Sequence, residues 1–112
     1  MDIKKLYSDA CILVGEIPVY SFLTHCDMFA RSAIAKYGNN FAVGEGEYTS
    51  PDSLSDSFAI DDAFYNAALF YAAGRASGND QLQKKSDNEA EIAYRSLWRK
   101  NAKGKRIMGV NW

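Results

Sequence analysis

The chain has 112 residues, 47% of them apolar and 13% aromatic, with a formal net charge of -1. A chain of this length favours one domain and can bury a core without metals or disulfides, and its apolar content argues against wholesale disorder. The residues contain no apolar run near the roughly 18 that cross a bilayer, and Ser8 and Asp9 interrupt the short run in MDIKKLYSDACILVG, so neither a span nor a signal peptide is expected.

Asp2 to Val14 reads as a first helix. Ile3, Leu6, Tyr7, Ala10, Leu13 and Val14 recur at i, i+3, i+4, i+7 and share one face. Gly15 can end it and Pro18 blocks a smooth continuation. Ser21 is the expected cap of a second helix to about Tyr37, with Phe22, Cys26, Phe29, Ala30, Ala33 and Tyr37 as its inner stripe and Leu23 and Ile34 widening it. Asp27 and Arg31 are four apart and can pair on its surface. Gly38 and the two asparagines after it stop this helix.

Asn39 to Ser57, rich in Gly, Ser and Asp, reads as a long irregular loop. Phe41 and Val43 alternate, as do Phe58 and Ile60, which suits extended arms or a short β-hairpin. A loop of this length is unusual in a small domain and is often functional or an assembly arm.

Asp61 to Gly78, DDAFYNAALFYAAGRASG, is the segment around which the chain is organised. Phe64, Ala67, Ala68, Tyr71 and Ala72 form a stripe that Ala63 and Ala73 widen, and Leu69 and Phe70 lie beyond it. A helix apolar nearly all round is usually buried between several neighbours, and its alanines let backbones approach. Asp61 is the expected cap, Ile60 can staple onto Tyr65, and Gly78 marks the end. Asn79 and Asp80 then turn tightly into a fourth helix from about Gln81 to Asn101, with Asp80 as cap and Leu82, Ala90, Ala93, Tyr94, Leu97 and Trp98 facing inward. Its first half, QLQKKSDNEAE, reads as solvated or intersubunit, and Gly104 is expected to end regular structure. The fold class is therefore all-α: a small domain resembling a four-helix bundle over residues 1–102, with an extended tail over residues 103–112.

Candidate chemistry is sparse. His25 is the only histidine, and it points about 100° away from Cys26 on a helix, so the two do not converge on one ion. Cys11 and Cys26 make no CxxC or metal spacing and read as buried free thiols of a reducing compartment. Asp61 and Asp62 are explained by their place at a helix start. Glu45, Glu47, Asp52 and Asp56 lack calcium-loop spacing, and GEGEY has no phosphate-loop pattern. No catalytic constellation, metal site or cofactor is expected.

The charge is unevenly placed. Met1 to Trp98 holds eight basic and fourteen acidic residues, whereas Arg99 to Trp112 holds five basic residues and no acidic one. Arg99, Lys100, Lys103, Lys105, Arg106, Ile107, Met108 and Trp112 are the candidate partner-binding residues, because basic and large apolar groups are gathered where four helices already supply a core. Basic residues also suit a plain helix C-terminus, and with Trp98 and Trp112 around them they suit nucleic acid.

The order of elements resembles the head–tail connector, or adaptor, proteins of tailed bacteriophages. FLTHCDMFARSAIAKYG is followed by an extended SDSFAID, the Ala/Tyr-rich AFYNAALFYAAGRA, a GND turn and a helix carrying AYRSLW. The helical-hairpin pattern of that family falls on Ala67, Ala68, Tyr71, Ala72, Ala73, Gly78, Asp80, Ala93, Tyr94 and Leu97. Asn79 within the turn and the glycine-rich loop depart from it. The resemblance implies a non-enzymatic virion protein, made in the host cytoplasm and placed at the head–tail interface. It would form a homo-oligomeric ring on the portal protein, meet stopper or tail proteins, and extend a channel through which DNA passes without sequence-specific binding. Neither cofactor nor membrane is implied. An acidic body would suit such a channel, since like charge keeps DNA from sticking. The other reading is a small helical interaction or regulatory module that binds through the fourth helix and the basic tail.

Overall fold

The first helix, α1 (Ile3–Val14), begins where Asp2 accepts hydrogen bonds from the Lys4 and Lys5 backbone N–H groups at 3.0 and 3.2 Å. The computed structural model describes the backbone of residues 1–107 and the side chains of residues 1–100. Ile3, Leu6 and Ala10 are buried at helical spacing. Leu13, expected on the same face, is instead 47% exposed. The chain leaves α1 at Gly15 and bends by 107° into the next helix, so the outer side of the last turn has nothing over it. The Tyr7 hydroxyl donates to the Ile17 carbonyl at 2.5 Å, and its ring meets Phe22 edge-on at 5.0 Å, which fixes this corner.

Helix α2 (Val19–Tyr37) starts two residues before the expected cap, with Pro18 at the cap position. Proline suits that place because its missing N–H would have had no helical partner, while its carbonyl accepts from Phe22 N–H at 3.0 Å. Ser21 therefore lies inside the first turn, its Oγ 3.3 Å from His25 Nε2. Phe22, Leu23, Cys26, Phe29, Ala30 and Ala33 are buried, as the spacing predicts. Gly38 ends the helix with a φ of 89°, a left-handed value that L side chains avoid, and its N–H reaches Ile34 O at 2.9 Å.

The expected extended arm at Phe41 and Val43 is one helical turn, α3 (Asn39–Ala42), and no strand occurs among the described residues. Alternation over two residues is too short to hold a strand without a partner, whereas α3 buries Ala42 and sets Phe41 edge-on to Tyr94 at 5.1 Å. Asp61 N–H donates to Ala42 O at 2.8 Å, so the loop between them leaves and returns at one point. This loop is not a free arm: Pro51, Phe58 and Ile60 are buried.

A 3-10 turn (Asp62–Phe64), capped by Asp61 Oδ1 on Ala63 N–H at 2.9 Å, leads into α4 (Tyr65–Ser77). Phe64, Ala67, Ala68, Ala72 and Ala73 are buried, while Ala63 faces solvent because the 3-10 turn rotates it off the stripe. Helix α4 packs against α1, α2 and the last helix, and so occupies the centre. Gly78 closes it in the left-handed conformation.

The cap of α5 (Asp80–Ile107) is Asn79, one residue earlier than expected: its Oδ1 accepts from Gln81 and Leu82 N–H at 3.0 and 3.2 Å. Helices α4 and α5 form a tight hairpin. The helix runs through Gly104 and through the expected boundary after residue 102. A single glycine costs a helix only about 1 kcal/mol relative to alanine, and lysines and an arginine flank this one. Residues 103–107 are thus helical rather than extended, and residues 108–112 of the expected tail lie outside the described residues. Within QLQKKSDNEAE, Ser86 is buried and donates to Ala67 O at 2.8 Å, so that stretch is not wholly solvated. No single helix among the described residues is long and apolar enough to cross a membrane.

Candidate partner-binding surfaces

Asp27 on α2 is the best-connected polar side chain. It pairs with Arg31 at 3.1 Å, as the i, i+4 spacing predicts, and also accepts from Tyr48 Oη at 2.7 Å and Ser50 Oγ at 2.6 Å. Arg31 Nη2 reaches Ser50 Oγ at 2.8 Å. One carboxylate thereby fastens the middle of the long loop to α2. Burial pushes Asp27 up, but the hydrogen bonds from Ser50, Tyr48 and Arg31 and the guanidinium charge outweigh it and hold its carboxyl below the usual value of 3.8. Burial and the bond to Asp27 raise Tyr48 above the usual phenol value.

This network has a pH signature. Because the folded-state value of Asp27 is depressed, its stabilisation is fully present above the ordinary carboxylate value and is lost as pH falls through the folded value. Asp27→Asn is expected to cost about 2 kcal/mol at pH 7, since charge-assisted hydrogen bonds become neutral or are lost. Urea unfolding at pH 7 and pH 3 checks this: the gap between wild type and variant should narrow at pH 3. A gap that stays constant removes the charge from the argument.

A second cluster stands where α5 leaves the body. Tyr37 and Tyr94 stack at 4.8 Å, Phe41 meets Tyr94, and Glu91 accepts from Tyr37 Oη at 3.1 Å and pairs with Lys36 at 3.2 Å. Beyond it, Trp98 is 49% exposed, and Arg95, Arg99 and Lys100 are exposed. Lys103, Lys105, Arg106 and Ile107 continue on the α5 backbone, while Met108 and Trp112 lie outside the described residues. The helix therefore gathers six of the eight candidate residues on one projecting segment.

Besides Met28 and Ile92, the other large apolar residues exposed among the described ones gather at the α1–α2 corner: Ile12, Leu13, Val19 and Tyr20. Beside it Tyr20, Leu23, Thr24, Asp27, Ser50, Pro51 and Asp52 line a cleft of about 200 Å³. Neither this cleft nor the Asp27 network was predicted from sequence beyond the Asp27–Arg31 pair, because Tyr48 and Ser50 are 21 and 23 residues away along the chain.

His25 lies half-buried with its Nδ1 unpartnered, and burial followed by the Arg75 charge lowers its pKa. Cys11 and Cys26 are free thiols, and burial pushes Cys26 up to about 12, which makes it unreactive in the folded protein. Among the described residues no group of three or more His, Cys, Asp and Glu side chains is placed to hold a metal.

Comparison with family models finds no match. Searches of curated proteins and of solved structures likewise find none.

Proposed function

We propose that the protein is a structural adaptor of a tailed-phage head–tail interface, assembling as a ring on the portal and lengthening the DNA channel. The observation that carries this reading is the pairing of a helical body with a projecting α5. Among the described side chains Ala93 is the last buried residue of α5 and Tyr94 and Leu97 still pack against the core, yet the helix backbone continues to Ile107. Beyond Leu97 the side chains of Trp98, Arg99 and Lys100 are exposed, so in this reading the end of α5 is stabilised by a neighbour in the assembly. The alanine-rich hairpin pattern that resembles connector proteins falls on the centre of the fold, where Ala67, Ala68, Ala72 and Ala73 are buried against other helices. In this reading the body behaves as a four-helix unit, and the loop ahead of α4 is a shaped part of its surface. The acidic body lets DNA pass, and the basic end of α5 meets the portal or a neighbouring subunit.

A second reading, a monomeric interaction module that binds through α5, is favoured by the exposed Trp98, Arg99 and Lys100. Negative-stain imaging of the full chain mixed with the portal oligomer of the same genome separates the two. Rings of this protein seated on portals are expected. A protein that stays monomeric and leaves the portals bare sinks the adaptor reading and leaves the module.

A further inference from the structure

The cleft at the start of α2 has an apolar floor in Leu23 and Pro51, which are buried, and a polar lining of Tyr20, Thr24, Ser50, Asp52 and the already paired Asp27. Tyr20 is 84% exposed beside it, an unusual position for a large ring that nothing covers. Asp52 and, next to it, Asp56 lie exposed at this end of the loop, and neither is ion-paired among the described residues. The groups that would complement this surface, five basic residues with Ile107, Met108, Val110 and Trp112, are all in the last fourteen positions of the same sequence.

Those positions cannot reach the cleft of their own molecule. Helices α2 and α5 run in the same sense, since Phe29 and Ala33 lie beside Ser86 and Ala90, and Tyr37 stacks on Tyr94. The cleft is at the N-terminal end of α2, about 25 Å back from Tyr37 at 1.5 Å per residue. Ile107 is about 20 Å beyond Tyr94 in the other direction on the same rise. The separation is about 45 Å, whereas residues 108–112 extend over at most about 17 Å.

We propose that residues 108–112 of one copy seat in the α2 cleft of a second copy, with Trp112 on the Leu23–Pro51 floor and the basic end of α5 against the acidic loop. The contact is head to tail: each copy offers a cleft and a tail on different surfaces, so successive copies close into a ring when the rotation allows. An indole suits the site because its body is apolar and its N–H can donate to the polar rim. The charge pairing speeds and orients the encounter, and the buried aromatic anchor slows release. This inference rests on the ring-forming reading above and names the contact that would build the ring.

The test uses full-length chains carrying a benzophenone amino acid in place of Trp112, mixed from ordinary and nitrogen-15-labelled pools and irradiated without portal. Mass spectrometry is expected to find cross-links to the peptides holding Tyr20–Thr24 and Ser50–Asp52, half of them joining chains of different isotope. Thr24→Arg with Asp52→Lys should reduce them at least tenfold at an unchanged melting temperature. Tyr20→Ala, which touches an exposed ring, serves if the double variant fails to fold. Cross-links elsewhere, links only within one isotope, no link at all, or links indifferent to both variants overturn the contact. A portal-bound ring whose cross-links avoid the cleft leaves the adaptor reading standing. Cleft cross-links from a protein that ignores portals remove that reading and keep the contact.

Discussion

Ala68→Asp is expected to abolish the folded state. Ala68 is fully buried on α4, the helix against which α1, α2 and α5 all pack. A carboxylate there is set among buried apolar residues, and such a group costs several kcal/mol even after it takes up a proton. A domain of this size is stable by about 5–15 kcal/mol in total, so one substitution consumes much of it. Circular dichroism should show loss of the cooperative thermal transition. Ala63→Asp is the matched control, because Ala63 is exposed beside the start of the same helix and a negative charge suits that end. Equal melting temperatures for wild type and Ala68→Asp would remove Ala68 from the core.

Gly74→Val is expected to lower stability by about 2–3 kcal/mol, the cost of overpacking a closed site. Gly74 is buried inside α4, where a residue without a side chain is otherwise unfavourable. Its reason is the hairpin: a Cβ at this position would meet Leu82 Cβ at 3.0 Å, Gln83 N at 3.2 Å and Asn79 O at 3.3 Å. Two of those atoms are backbone and belong to the first turn of α5 and its cap, so they cannot yield without opening the α4–α5 turn. Alanine gains helix propensity of about 1 kcal/mol, which partly offsets the three close approaches of its Cβ. Valine adds two methyl groups and a stiff χ1 to the same crowding. A melting temperature lower by roughly 10 °C for valine, with alanine between it and wild type, is the expected order. A valine variant as stable as wild type would mean that the two helices separate freely at this end.

The two substitutions mark different depths of legibility. The apolar spacing of Phe64, Ala67, Ala68 and Ala72 is visible in the residues themselves, because a 3.6-residue period writes the buried face into local order. Gly74 carries no such local signal. Its role depends on how closely the next helix approaches, which no local pattern records.

By itself the sequence determined an all-helical chain, the central place of the segment before Gly78, the short α4–α5 connection and the split between an acidic body and a basic end. Each follows from local physics: hydrophobic period, capping chemistry, glycine in the left-handed region, and charge counted along the chain. Only the tertiary structure decided that Asn39–Ala42 is helical, that Asp27 fastens the loop, that Ser86 is buried under Ala67, and that α5 passes Gly104. These depend on partners 19 or more residues away, or on competition between a weak breaker and a long helix around it. Local free energies of about 1 kcal/mol cannot settle such contests, because burial and hydrogen bonding across the fold contribute as much or more.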